Sequence, residues 1–167
     1  MNNKLIKYKQ MKIILLVFGK TNEGFVNDGI KHFGERIKKF FPFEMEIITE
    51  PKLHGKLDVK KQQEEESKLF ESKLKNADEV ILLDENGIQF SSKNFADKIE
   101  MLMNTGKKRL VFIAGGAYGF SPAMLKKWSN KISLSKMTFT HQMVRLIFIE
   151  QLYRAATILK GLPYHHK

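Results

Sequence analysis

Apolar residues fall along this chain in two alternating rhythms. Residues 13–18 (IILLVF) form an unbroken apolar run, the pattern of a strand buried on both faces of a parallel sheet. Val26, Ile30, Phe33, Ile37 and Phe40 then recur every three or four positions, so the spacing predicts a helix with one apolar face, stopped at Pro42. Met45, Ile47 and Ile48 supply a second short strand, and residues 51–55 a loop. Residues 58–75 read as a charged helix with few apolar contacts, chiefly Val59, Leu69, Phe70 and Leu74, and this polarity predicts an exposed edge. A third buried strand, 80–83, ends in the turn Asp84-Glu85-Asn86-Gly87. Ser91 or Ser92 caps a helix that presents Phe95, Ile99 and Leu102 and closes at Gly106. Residues 110–114 form a fourth strand, Ser121-Pro122 opens a short helix in the favoured order of cap then proline, and residues 132–134 make a fifth strand.

Repeated strand-helix-strand units define an α/β class, a parallel sheet layered by helices. The last helix, 142–160, is unusual because Met143, Val144, Leu146, Ile147, Phe148, Ile149, Leu152, Ala155, Ala156, Ile158 and Leu159 point in nearly every direction around it. A helix lying on a sheet needs only one apolar stripe. This one is expected to be covered on both sides, with the second cover supplied by another copy in a two-fold homodimer, ahead of the alternative of a central helix inside a monomer.

A length of 167 residues fits a single domain, placed at residues 11–167, with residues 1–10 an extension outside it and Met11 a candidate start. Lys4, Lys7, Lys9 and Lys12 precede the first apolar run as in a secretory leader, but that run is too short for one. No stretch approaches the roughly 20 apolar residues that span a bilayer. The absence of cysteine removes disulfides, thiolate nucleophiles and cysteine-bound zinc, and fits a cytoplasmic address. Twenty-nine Lys and Arg against 18 Asp and Glu leave a net charge of +11. Such an excess favours a polyanionic partner, nucleic acid before a membrane surface, against the plainer alternative of lysine on solvated faces. Lys107, Lys108, Arg109, Lys126, Lys127, Lys131 and Lys136 are the candidate phosphate contacts.

The turn Gly115-Gly116-Ala117-Tyr118-Gly119 follows the fourth strand, and the small-residue segment 134–142 follows the fifth. Two such loops at strand ends allow backbone to approach a ligand. The turn is not the dinucleotide fingerprint, because Ala117 stands where its second glycine belongs. Gly19-Lys20-Thr21 lacks the earlier glycine of a phosphate loop, and His32, His54, His141, His165 and His166 show no metal-ligand spacing, so no metal site is expected. No serine elbow is present. Glu150 and Arg154 stand four apart in the favourable order for a helical ion pair; on so apolar a helix the pair is a candidate for burial around something specific.

Residues 109–120 (RLVFIAGGAYGF), 134–150 (LSKMTFTHQMVRLIFIE), 151–155 (QLYRA) and Tyr164-His165, with Leu82-Leu83-Asp84 and Gly87, resemble the RlmH family, the ribosomal large-subunit pseudouridine methyltransferases of the SPOUT superfamily. The resemblance runs from about Met11 to His165. It implies a SPOUT-type α/β fold whose C-terminal segment threads a loop to make a deep trefoil knot, an exception to the rule against threading. It further implies S-adenosylmethionine held in the knot by Leu83, Gly115, Leu134, Ser135, Lys136, Met137, Thr138 and Phe139, and two copies packed so that each site is completed near their interface. The implied substrate is a pseudouridine of 23S rRNA, methylated at N3 on assembled ribosomes. Arg154, Tyr164 and His165 are the implied catalytic candidates: Arg154 stabilising charge or positioning RNA, Tyr164 stacking on the base, His165 taking its proton. The doubled His165-His166 departs from the family's single terminal histidine. A ribosome-binding module of the same fold without catalysis, or the same enzyme acting on another RNA, are the alternatives.

Overall fold

The structure, a computed structural model, describes residues 11–51 and 56–164. Its elements run β1 (Lys12–Phe18), α1 (Gly24–Ile37), β2 (Phe43–Ile48), α2 (Val59–Lys73), β3 (Glu79–Gln89), α3 (Ser92–Met103), β4 (Arg109–Ala114), α4 (Pro122–Lys127), β5 (Lys131–Ser133) and α5 (His141–Leu159). The strands form one sheet in the order β2-β1-β4-β3-β5, every neighbouring pair parallel.

Period-two alternation splits the sheet's side chains between two cores. Ile13, Leu15, Val17, Leu110, Phe112, Ala114, Ile81 and Leu83 face α1, α3 and α5, where Ile37, Phe95, Ile99, Phe148 and Leu152 pack on them. Ile14, Leu16, Phe18, Val111, Ile113, Val80 and Leu82 face the other way, against Phe70 of α2 and Met124 of α4. This double burial is why the strands read as continuous apolar runs. Ile13, Leu15, Leu16 and Val17 are all within 1% of full burial.

Helix starts follow local chemistry. Asp58, Ser91, Ser121 and Thr140 each accept a hydrogen bond from the amide three residues on, and Pro122 occupies the first turn of α4. Of the two serines offered as a cap for α3, Ser91 is the one used. The apolar rhythm of α1 continues to Phe40, but the helix ends at Ile37, where turn hydrogen bonds from the Phe40 and Phe41 amides to the Ile37 carbonyl take over.

Two expectations change. The sequence Asp84-Glu85-Asn86-Gly87 does not end the third strand; β3 continues to Gln89, and the four residues form an irregularity across which its pairing with β5 shifts from Leu83 to Ile88. Bulged residues keep a strand going while re-aiming its side chains. The polar α2 is not a wholly exposed edge either, since Gln62, Glu66, Ser67 and Phe70 are buried.

Helix α5 lies between α1 and α3 and over the sheet. Both of its flanks are therefore covered within the chain, which accounts for much of its all-round apolarity. The stripe left facing outward carries Met143, Ile147, Glu150 and Arg154, each half-buried.

Candidate functional site

The carboxyl ends of β3, β4 and β5 surround a cavity of about 680 Å³, within the range of small-molecule sites. Its walls come from four pieces of chain: Leu83 to Asn86 of β3, the glycine turn through Phe120, Ile132 to Ser135 at the end of β5, and the approach to α5 with His141 and Val144. Ligands bind at this edge of open α/β sheets because the loops there diverge and leave backbone groups unpaired. The glycine turn is tight. Gly119 takes φ +69° and donates its amide to the Gly116 carbonyl at 3.1 Å, a left-handed conformation that glycine adopts without steric cost.

Of the residues singled out in the sequence for a cofactor, Leu83, Gly115, Leu134, Ser135, Met137, Thr138 and Phe139 line this cavity. Ser135 orders its own loop: its hydroxyl accepts from the Met137 amide at 2.9 Å and its carbonyl accepts from Ser133 Oγ at 2.8 Å. Lys136 is exposed and lies off the cavity wall. The mouth carries exposed apolar side chains, Met137, Tyr118 and Phe139. Asp84 and Glu85 bring carboxylates to the wall, and Asp84 Oδ1 accepts from the Asn86 amide at 2.9 Å.

His141 stands where the first turn of α5 meets the cavity, and burial, then the Arg145 guanidinium, hold its imidazole below the usual histidine pKa. Arg145 is 1% exposed. Its Nη1 donates to the Gly19 carbonyl at 3.0 Å and to Thr21 Oγ1 at 2.8 Å, and its Nη2 donates to the Phe18 carbonyl, so one guanidinium finishes the end of β1. Burial lowers the pKa of the guanidinium and the nearby Glu50 carboxylate counters it. Three positions earlier, Gln142 Oε1 accepts from the amides of Asn22 and Glu23 at 2.8 and 3.1 Å and so caps α1 from α5. The segment 134–140 therefore leaves β5 at one edge of the sheet and arrives beside β1, passing the ends of β3 and β4.

Arg154 and Tyr164 meet elsewhere. Arg154 Nη2 donates to Glu150 Oε1 at 2.6 Å, the Tyr164 hydroxyl donates to the same oxygen at 3.3 Å, and the guanidinium sits 4.9 Å over the Tyr164 ring. Tyr164 also packs edge-on against Tyr153, with ring centroids 4.8 Å apart. Burial and then the Glu150 carboxylate raise the phenol pKa. Arg154 lies ten residues along α5 from Val144, the last residue of that helix to line the cavity, about 15 Å along the axis, so one chain does not bring this cluster to its own cavity. His165 lies outside the described residues. Among the described residues, no three His, Asp or Glu side chains gather as metal ligands, and no helix is long and apolar enough to cross a membrane.

The basic candidates divide. Lys107 and Arg109 pair with Glu79 and Asp78 at the amino ends of β3 and β4, away from the cavity, and Lys127 pairs with Glu71 at 2.8 Å. Lys126 and Lys136 are exposed, and Lys131 is half-buried.

Three residues at this edge escaped the sequence. Arg145 shares a helical stripe with Phe148, Leu152 and Ala156, and that charge on a core stripe was the available signal. Glu66 and His141 had no periodic signature.

The family model described as "Predicted SPOUT methyltransferase" matches residues 11–165, and the chain belongs to that family. A crystal structure of a probable methyltransferase from Bordetella pertussis Tohama I shares the fold, with TM-score 0.54 and 11% identity over 93% of this chain and 99% of that one. Among curated relatives, a protein from Christiangramia forsetii is 52% identical and one from Parabacteroides distasonis 50%, each match spanning 94% of this chain and the whole of the relative. Both bear the name Ribosomal RNA large subunit methyltransferase H.

Proposed function

We propose that this chain is an S-adenosylmethionine-dependent methyltransferase that modifies N3 of a pseudouridine in 23S rRNA on assembled ribosomes, working in the cytoplasm as a homodimer. The observation that carries the reading is the cavity where three strand ends converge, walled by residues of both small-residue loops, in a chain half identical to proteins named for rRNA methylation over nearly its full length. Leu83, Ile132, Leu134 and Val144 offer an apolar slot for adenine, and the peptide groups of the glycine turn offer its polar edge. Asp84 and Glu85 suit a cationic ligand. When bound, the cofactor supplies an electrophilic methyl group on a sulfonium sulfur. Lys136 stands apart in this scheme, its side chain facing solvent and suited to an RNA phosphate.

Methylating an imide nitrogen asks the protein to align the two partners, exclude water and take up the N3 proton as negative charge develops. Arg154 stabilises that charge, Tyr164 stacks on the base, and His165 receives the proton. Since Arg154, with Tyr164 beside it, stands about 15 Å along the helix from the last residue of α5 that lines its own cavity, a second copy completes the site. The outward stripe with Met143 and Ile147 is the surface on which that copy packs. The passage of 134–140 across the strand ends to a helix pinned on β1 is consistent with the trefoil knot that the family resemblance implies.

Mass spectrometry of 23S rRNA from a deletion strain tests the whole reading. One methyl on a pseudouridine should disappear and return with the wild-type gene but not with Arg154→Ala. An unchanged modification pattern in the deletion strain overturns it.

A further inference from the structure

The glycine turn at the cavity is gripped from behind by α2, a helix whose composition looks built for solvent. Its sequence VKKQQEEESKLFESK holds two apolar side chains of any size after Val59, yet Gln62 and Glu66 are each only 2% exposed and Ser67 8%. Burying polar groups is unfavourable unless they find partners, and beyond the bonds within α2 itself the helix meets one short stretch of the turn. Glu66 Oε2 accepts from the Gly116 amide at 3.2 Å, Gln63 Nε2 donates to the Tyr118 carbonyl at 2.7 Å, and the Ser67 and Ser121 hydroxyls share a hydrogen bond at 2.7 Å. Positions 63, 66 and 67 stand three and four apart, on one helical face. They meet the turn at 116, 118 and 121.

The fit is close. A Cβ built on Gly116 would stand 2.5 Å from Glu66 Oε2, so the absence of a side chain there is what lets the carboxylate reach the peptide. Gln62 Nε2 lies 3.4 Å from Glu66 Oε1 and holds the carboxylate from its far side. Gly116 and Tyr118 line the cavity while Glu66 does not, so any effect of Glu66 on a ligand passes through the turn.

We propose that α2 is a clamp on the ligand-binding turn and that Glu66 is its positioning residue, fixing the Gly116 peptide in the orientation that binds the methyl donor. The inference rests on the methyltransferase reading for the identity of the ligand, though not for the clamp itself. The acceptor oxygen, rather than the negative charge, is the feature that matters, because a neutral amide oxygen satisfies the same N–H.

The test uses the full chain and the variants Glu66→Ala, Glu66→Gln and Gln63→Ala. In ligand-free protein, amide hydrogen exchange at Gly116 should quicken in Glu66→Ala and stay near wild type in Glu66→Gln. Calorimetric titration with S-adenosylmethionine should show affinity weakened about tenfold in Glu66→Ala, the scale of one hydrogen bond, and largely recovered in Glu66→Gln. The KM for donor should rise while that for ribosomes stays constant, a split that general loss of stability would not produce. If Glu66→Ala does not fold, Gln63→Ala, on the half-buried flank of the helix, should give a severalfold weaker version of the same effects. Unaltered exchange at Gly116 with unaltered donor affinity, or a Glu66→Gln variant as impaired as Glu66→Ala, overturns the proposal. Failure of the wild-type protein to bind S-adenosylmethionine overturns the methyltransferase reading instead, and the exchange data still judge the clamp.

Discussion

Replacing Arg145 by methionine should remove about 3–5 kcal/mol of stability, the balance between three buried acceptors that lose a charged donor and one cation that no longer has to be desolvated. Methionine keeps most of the aliphatic stem and deletes the guanidinium. Three acceptors then lose their donor in a site that is 1% exposed: the Phe18 and Gly19 carbonyls and Thr21 Oγ1. Hydrogen bonds to a charged group contribute about 1.5–3 kcal/mol each, so three sum to about 4.5–9 kcal/mol. Against that sum, the variant no longer desolvates a cation, a relief of several kcal/mol. Arg145 Nε adds to the relief, being buried without a hydrogen-bond partner among the described residues. The net loss is a large share of a typical total of about 5–15 kcal/mol. In urea, with a slope of about 2 kcal/mol per molar for a small protein, the unfolding midpoint should fall by about 2 M. A fall under about 0.5 M would refute the view that one guanidinium secures the end of β1.

Other outcomes follow from the same geometry. Gly87→Ala should destabilise by about 1–3 kcal/mol, because its Cβ would stand 2.6 Å from backbone atoms of Ile132, whereas Gly29→Ala, which meets the movable end of Leu146, should be tolerated far better; urea midpoints of the two variants separate the cases. The raised phenol pKa of Tyr164 means that its neutral form is favoured in the folded chain, so its contribution to stability is complete below the ordinary tyrosine value and lost as pH rises through the elevated one. Glu150→Gln should lower that value, as seen in ultraviolet titrations corrected with Tyr164→Phe. His141 has a depressed pKa, so its contribution is present above the ordinary histidine value and disappears as pH falls through the lowered one; an NMR titration of the ring should give a midpoint on the acid side of that ordinary value.

The parallel sheet was legible because strands buried on both faces cannot alternate, and the runs at 13–18 and 110–114 therefore stood out from the helical rhythm between them. Caps at Ser91 and Ser121 were legible for a local reason, since side chain and amide are three residues apart. The continuation of β3 through Asp84-Glu85-Asn86-Gly87 was not, because acid, amide and glycine spell a turn whenever a neighbouring strand does not hold them. Polar α2 was misjudged on the same ground: burial of Glu66 depends on an amide 50 residues away, and composition carries no information about that partner. The two loops stood out by their place at strand ends and the individual cofactor positions came only from the family resemblance, while the separation of Arg154 and Tyr164 from the cavity depends on the path of α5 through the fold. Arg145 was hidden by its surroundings. In a helix apolar on nearly every side, the stripe that Arg145 shares with Phe148, Leu152 and Ala156 competes with equally apolar directions, so its charge was a weak signal.

The side chain that caps the first helix lies 120 residues downstream of the amide it satisfies, and this sets a timetable for folding. At a synthesis rate of roughly 5–20 residues per second, Gln142 is made about 6–24 s after Asn22, and Arg145 follows it by less than a second. Through that interval the far end of β1 and the start of α1 must leave their polar groups to water. The amino-terminal third of the chain is thus translated early and finished late, and a nascent chain arrested before residue 141 should remain open to proteases at the junction of β1 and α1.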